Sequence, residues 1–220
     1  MKSGLSRELI ALRVARELKD GYYVNLGIGL PTLVSSFVPE GIDVTFHSEN
    51  GVLGFGRIAN EHERDPDLIN AGSQPVTLNP GAAFFDSATA FAMIRGGYID
   101  VSVLGAFQVS EKGDLANWMM RERKVGSIGG SMDLVSAAGT VIVAMEHTTR
   151  SGEPRIVKEC THPLTGRGVV NLIVTNLAVI EVTPRGLLLK EVAPSVTPGE
   201  VQSVTRPEVK LAEDLREMEL

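Results

Sequence analysis

The sequence predicts an α/β fold, an open and largely parallel sheet with flanking helices and an antiparallel extension. Three observations point there. Glycine is abundant, with 23 residues in a chain of 220, while aromatics are only 5%, which suggests many tight turns between Val/Ile/Leu-rich strands. The apolar runs VSVLGAF and VIVAM lack period-two alternation, as expected of strands covered on both faces. Helical and strand patterns alternate early in the chain, whereas strands dominate late.

Taken in order, the first element is a helix over about residues 6–19. Ser6 is its N-cap, Gly21 its stop, and Leu9, Ile10, Leu12, Val14 and Leu18 its apolar stripe. YYVNLGIGLP is a short strand entering a Gly-x-Gly turn, with Pro31 opening a helix over 31–38. IDVTFHSE (42–49) reads as a strand and NGVLGFG as a glycine-rich loop. Asp86 caps a helix, DSATAFAMIRGG, stopped by Gly96 and Gly97. Strands follow at 99–109, 140–146, 155–160, 171–183 and 186–192, and the terminal LAEDLREMEL reads as a short acidic helix or a frayed end. With no repeat or low-complexity linker, residues 1–220 are expected to form one domain with an acidic tail from about 200.

The net charge of −6 argues against a nucleic-acid binder. Half of it sits in residues 200–220, so a local anion pocket is still compatible with it. One cysteine, Cys160, precludes an internal disulfide and fits a reducing compartment. No apolar run reaches the ~18 residues of a membrane span, and the N-terminus carries Glu8, Glu17 and Asp20 rather than a leader's apolar centre. The expectation is a cytoplasmic protein with neither a membrane nor a nucleic-acid partner.

In open α/β sheets, ligand chemistry gathers at the carboxyl ends of strands. Three segments stand there: 25–30, 48–56 and 125–133. In NLGIGLP, Gly27 and Gly29 allow close backbone approach to a ligand. Thr32 occupies the third glycine of a dinucleotide fingerprint, but Glu49 lies 20 residues after Gly29, the spacing of a ribose-holding acid. A tight packing turn and a nucleotide site both fit. In SENGVLGFG, Glu49 is flanked by Asn50, Gly51, Gly54 and Gly56. Such a carboxylate can serve as base, ligand, ribose acceptor or nucleophile, or stand merely solvated. VGSIGGSMDL exposes the backbone of Gly126, Gly129 and Gly130, suited to an oxyanion hole or to an ordinary turn before a helix. His47, His62, His147 and His162 have no metal-ligand spacing, and no zinc motif, nucleophile elbow or Walker loop occurs. Cys160 reads as a small buried hydrophobe, Trp118 as packing, and the run at 121–124 as a solvated basic face.

Together NLGIGLPTLV, SENGVLG, QPVTLNPGAAFFDSATAFAMIRGG, GAFQVSEKGDLANW, GGSMDLV, VIVAMEHT and PLTG with NLIVTNLAVIEV resemble the B (beta) subunits of 3-oxoacid CoA-transferases, within the class I CoA-transferases. The match runs from about residue 5 to 195 in the family's order, and SENGVLG is its most specific part. The resemblance implies a shared α/β fold and transfer of coenzyme A from an acyl-CoA to a free acid. Glu49 becomes the covalent nucleophile, Gly129 and Gly130 border the carbonyl oxygen, and Asn25, Gln108, Asn50 and Gly51 belong to the pocket. It implies no metal and no cofactor, coenzyme A being substrate, and an A (alpha) subunit in an α2β2 assembly. Two departures stand out. Ser131 adds a hydroxyl where the family often has alanine, and FGRIANEHERDPD replaces a proline-containing stretch, placing Arg57, His62 and Arg64 near the expected mouth. This basic loop hints at a dicarboxylate acid. The competing readings are a regulatory ligand-binding module on a related scaffold and a nicotinamide dinucleotide enzyme.

Overall fold

The computed structural model describes residues 4–120 and 129–220. The basic run at 121–124 and Gly126 fall outside the described residues. The first helix, α1 (Arg7–Ala15), starts where the sequence places it, with the Ser6 side chain accepting from the Leu9 amide. It stops before Gly21, because Glu17 and Leu18 already bond back three residues. Gly21, at φ +78°, instead turns the chain into β1 (Tyr23–Leu26) and donates to the Asp43 carbonyl.

The helix expected over 31–38 is a six-residue 3-10 turn, Pro31–Ser36. Thr32 and Ser35 hydroxyls donate to carbonyls three residues back, which favours the tighter winding. After it come β2 (Thr45–Ser48), β3 (Val52–Ile58) and β4 (Val76–Phe84). The expected glycine loop after Glu49 is thus largely strand. It pairs antiparallel with β2 and β4, and register shifts at Leu53/Phe55 absorb Gly54.

Asp86 caps α2 (Ser87–Arg95) through the Thr89 amide, and Gly96 and Gly97 end it as expected. The strand expected over 99–109 divides at Gly105 into β5 (Val101–Leu104) and β6 (Gln108–Ser110). Next are β7 (Leu115–Ala116), α3 (Ser131–Ala137), β8 (Thr140–Met145) and the two-residue β9 (Ile156–Val157). The 171–183 strand is a hairpin of β10 (Leu172–Thr175) and β11 (Ala178–Thr183), followed by β12 (Gly186–Val192) as predicted.

A helix the pattern missed, α4 (Pro198–Ser203), carries a Thr197/Glu200 capping box. The terminal segment is neither helical nor frayed. It is β13 (Val209–Glu217), parallel to β12 and tied to it by Lys190–Asp214 (3.0 Å) and Arg216–Glu191 (2.9 Å). Glu191 also pairs with Arg13 of α1 at 2.6 Å in a buried contact, so half of the net charge belongs to an ordered edge.

The main sheet has ten strands in the order β13-β12-β11-β10-β8-β5-β1-β2-β3-β4. Its centre, from β10 to β2, is all parallel, with antiparallel strands added on both sides. Strand β5 is buried throughout and β8 almost so, as their unbroken apolar runs require. A second sheet, β7-β6-β9, stands beside it. Helix α3 packs on β5 and α2, and the Arg95–Asp133 pair (2.7 Å) pins the two helices together. No helix among the described residues is long and apolar enough to cross a membrane.

Candidate active site

Four adjacent parallel strands, β2, β1, β5 and β8, end at one cavity of about 760 Å3. Gly27 and Ile28 follow β1, Glu49 follows β2, residues 105–107 follow β5, and Glu146 follows β8; Gly129, Gly130 and Ser131 lead into α3 on the same wall. This is where an open α/β sheet binds ligands, because the strand order leaves a crevice beyond the carboxyl ends.

Glu49 is the first residue after β2 and is half-buried. It is presented by a turn that only glycine can complete. Gly51 sits at φ +109°, and a Cβ there would collide with the Phe85 carbonyl oxygen. The Gly51 amide donates to Ser48 O (3.0 Å), and the Phe85 amide donates to Gly51 O (3.0 Å). Asn50 is exposed and donates to the Ile69 carbonyl at 2.8 Å, while the Ser48 hydroxyl accepts from the Ala71 amide at 3.0 Å. Asn50 and Gly51 therefore build the turn rather than the cavity wall.

Asn25, fully buried on β1 and in register with His47 on β2, directs its amide nitrogen to Glu49 Oε2 at 3.4 Å. The same nitrogen lies 3.1 Å from His47 Nδ1 and 3.2 Å from the His47 carbonyl. Burial lowers the affinity of His47 for a proton, an effect that the Ala90 backbone partly offsets. Its ring stacks near Phe85, with centroids 6.2 Å apart. With Nδ1 as acceptor the ring holds the Asn25 amide, and the amide in turn offers Glu49 a donor. Asn25 Oδ1 and His47 Nε2 are buried without a close hydrogen-bond partner among the described residues.

Gly130 is buried against the Phe91 ring, and a Cβ there would come within 2.9 Å of it and 3.9 Å of Glu49 Cγ. Its lack of a side chain is thus a packing requirement that also leaves backbone open toward the carboxylate. Gly129 is exposed at φ +52° and lines the same wall.

Gln108 is turned away. Its Oε1 accepts from the Thr161 amide (2.8 Å) and its Nε2 donates to Thr161 Oγ1 (3.1 Å), bracing the small sheet. Arg57, His62 and Arg64 do not line the cavity, and Arg57 is neutralised by Glu63, whose carboxyl its guanidinium holds down at about 2. The basic loop is not at the mouth because β3 carries it away from the strand ends. Cys160 is half-buried, its thiol pushed up to about 12 by burial and by Asp114, and Trp118 donates to the Leu164 carbonyl; both are structural.

Cavity residues that sequence reasoning missed are Arg7, Arg150, Arg155, Glu146 and the neighbouring Thr148 and Thr149. Of these, Glu146 and Thr148 lie inside VIVAMEHT and carried a sequence signal. The arginines come from distant segments and have no spacing to recognise. Among the described residues, no group of three or more His, Cys, Asp or Glu could hold a metal.

A family model described as Coenzyme A transferase matches residues 7–203. The chain is 50% identical over 205 residues to the B subunit of the succinyl-CoA:3-ketoacid coenzyme A transferase of Helicobacter pylori, covering 93% of this chain and 99% of that protein. It is 51% identical over 202 residues to the B subunit of the 3-oxoadipate CoA-transferase of Pseudomonas putida, covering 91% and 94%. A solved acyl-CoA transferase of Escherichia coli O157:H7, in a thioester complex with CoA, shares the fold at a TM-score of 0.77 and 19% identity. That match covers all of this chain but only 44% of the solved one, so this chain spans less than half of that enzyme's length.

Proposed function

The chain belongs to the coenzyme A transferase family, and on that basis we propose that it is the nucleophile-carrying subunit of a two-subunit enzyme. That enzyme exchanges CoA between an acyl-CoA, succinyl-CoA or acetyl-CoA, and a 3-oxoacid such as acetoacetate. The observation that carries this reading is the Glu49 carboxylate, raised on a glycine-dependent turn into the strand-end cavity with the Asn25 amide on one oxygen.

In this reading Glu49 attacks the thioester carbonyl, the C–S bond breaks, and CoA leaves as thiolate from an acyl-glutamyl anhydride. The thiolate then attacks the glutamyl carbonyl, releasing the first acid and leaving a glutamyl-CoA thioester. A second acid reverses the sequence, so exchange is ping-pong and the thioester energy is retained without ATP. Each addition places charge on a carbonyl oxygen, and the backbone at Gly129 and Gly130 is assigned to receive it. One lost donor there costs roughly 3–4 kcal/mol of barrier. The Asn25 amide restrains the carboxylate in line for attack. Water has to be kept out, since it hydrolyses either intermediate, and no cofactor enters any step.

An A subunit completing the cavity in an α2β2 assembly fits this reading. Curated relatives are named as B subunits, and a solved relative is more than twice as long as this chain. The regulatory module and the dinucleotide enzyme are not favoured by these relatives. The turn after Gly29 also leads into six residues of 3-10 helix rather than a long α-helix whose N-terminus could hold a pyrophosphate.

The test is peptide mass spectrometry of the chain, co-expressed with its A subunit and incubated with acetoacetyl-CoA. A CoA adduct on the Glu49 peptide is expected. Glu49→Ala should lose the adduct and at least about 10^4-fold in exchange rate, consistent with removal of a covalent nucleophile, with an unchanged circular dichroism spectrum. Exchange retained by Glu49→Ala would sink the assignment.

A further inference from the structure

Three arginines line the cavity that holds Glu49, and none of them has an ion-pair partner among the described residues. Arg7 stands at the start of α1, Arg150 at the tip of the 148–154 hairpin, and Arg155 at its base. Against them the cavity wall sets two carboxylates, Glu49 and Glu146, so a chain of net charge −6 has built its main cavity with a surplus of positive charge.

Arg155 is the most constrained of the three. Its amide donates to the His147 carbonyl (3.1 Å), and its carbonyl accepts from Val109 N (2.9 Å), so the backbone is held from both sides. Its Nη1 donates to the Ala106 carbonyl at 3.2 Å. Its Nε is buried with no hydrogen-bond partner. Burial weakens its hold on the proton, and Glu146 acts on it only through space. A guanidinium in this state is unsatisfied in both charge and hydrogen bonding. A planar two-oxygen anion in the cavity meets the charge and the Nη donors that the Ala106 carbonyl leaves open, because a carboxylate accepts two parallel N–H bonds from a guanidinium fork. Among the described residues the exposed Arg57, Arg95 and Arg206 each pair with a carboxylate, while exposed Arg64, Arg167 and Arg185 stand in solvent without one, so what sets Arg155 apart is that it is half-buried on the cavity wall with no carboxylate bonded to it.

We propose that Arg155 is the specificity-determining residue for the acid, receiving the distal carboxylate of a dicarboxylic acyl group, the one that does not exchange at Glu49. This rests on the reading of Glu49 as nucleophile. The distal carboxylate of a four- to six-carbon diacid lies a few bonds from the reacting carbonyl, inside the same cavity as Glu49. The phosphates of CoA lie the whole pantetheine arm away from it, which favours the carboxylate as occupant. Arg7 and Arg150, both exposed, add long-range attraction for the same charge. The dicarboxylate preference hinted at by the 57–64 loop is thereby carried by different residues.

The test uses the complex with the A subunit and three forms of this chain: wild type, Arg155→Lys and Arg155→Gln. With acetoacetyl-CoA as donor, the ratio of kcat/KM for succinate over acetate should fall at least tenfold in Arg155→Gln, mainly through the KM of succinate. Arg155→Lys, which keeps the charge but loses the fork, should fall in between. Calorimetric binding of succinate to the complex should weaken by at least tenfold in Arg155→Gln. An equal loss for both acids, or a raised KM for acetoacetyl-CoA with the ratio intact, overturns the proposal. The calorimetry needs no turnover. A wild-type complex that transfers no CoA therefore defeats the Glu49 reading, while succinate binding still decides Arg155.

Discussion

The setting of the Glu49 carboxylate is made by its neighbours as much as by its own position after β2. The Asn25 amide nitrogen lies between His47 Nδ1 and the Glu49 carboxylate, and burial of the His47 ring lowers its affinity for a proton, which favours Nδ1 as acceptor. A second buried histidine gives a residue-scale prediction. His147 bonds through Nδ1 to the Thr175 hydroxyl (2.9 Å) and through Nε2 to the Thr205 hydroxyl (2.8 Å), and burial pushes it down to about 4. The unfolded chain binds this proton below about pH 6.5 while the folded one does not. Stability conferred by the neutral ring is complete above about pH 6.5, declines as pH falls, and levels off below about 4, for a loss of roughly 3 kcal/mol. Urea midpoints measured from about pH 7 to about pH 4 should show this slope, and His147→Gln should flatten it. Nothing in the sequence sets His47 and His147 apart from exposed His62. Their burial depends on partners 22 to 58 residues away.

At the scale of elements, the turn between β2 and β3 has the strictest local requirement in the site. Gly29→Ala must bear only a left-handed backbone, since nothing lies within 4 Å of its Cβ; Gly51→Ala must in addition displace the Phe85 carbonyl. The expected costs are about 1 kcal/mol for Gly29→Ala and at least about 3 kcal/mol for Gly51→Ala. Urea denaturation checks both, and Gly51→Ala should also lose the Glu49 adduct. Two capped helices were legible from sequence, since Ser6 and Asp86 start theirs as read, and β12 keeps its predicted ends, but the Thr197/Glu200 capping box of α4 was not recognised. Elements defined by pairing were not. The 99–109 and 171–183 runs looked continuous because their apolar patterns do not mark where the chain changes partners, at Gly105 and at Asn176. The terminal LAEDLREMEL reads as a short acidic helix or a frayed end, yet pairing with β12 makes Val209–Glu217 a strand. This is tertiary context overriding a weak local preference.

For the whole molecule, the parallel centre positions four strand ends at one cavity, and the antiparallel additions extend the sheet on both sides of it. A cavity open to solvent cannot by itself protect an anhydride from water. The isolated chain is therefore expected to show less than about 1% of the exchange rate of the complex, recovered on adding the A subunit. A titration of A subunit into this chain, read by exchange rate, measures it, and the break point reports the subunit ratio. Full activity of the chain alone would show that its own cavity suffices.

The α/β class, the family and Glu49 as candidate, together with the glycines that flank it, could all be read from the amino-acid order. Each is written in a contiguous stretch, where turn chemistry and a motif are local properties. It took the folded chain to show that Gln108 and the 57–64 loop stand away from the cavity, and that Arg7, Arg150 and Arg155 stand in it. Residues so far apart in the chain meet only through strand order and register, and those follow from burial and hydrogen-bond pairing across the whole sheet, which no local pattern encodes.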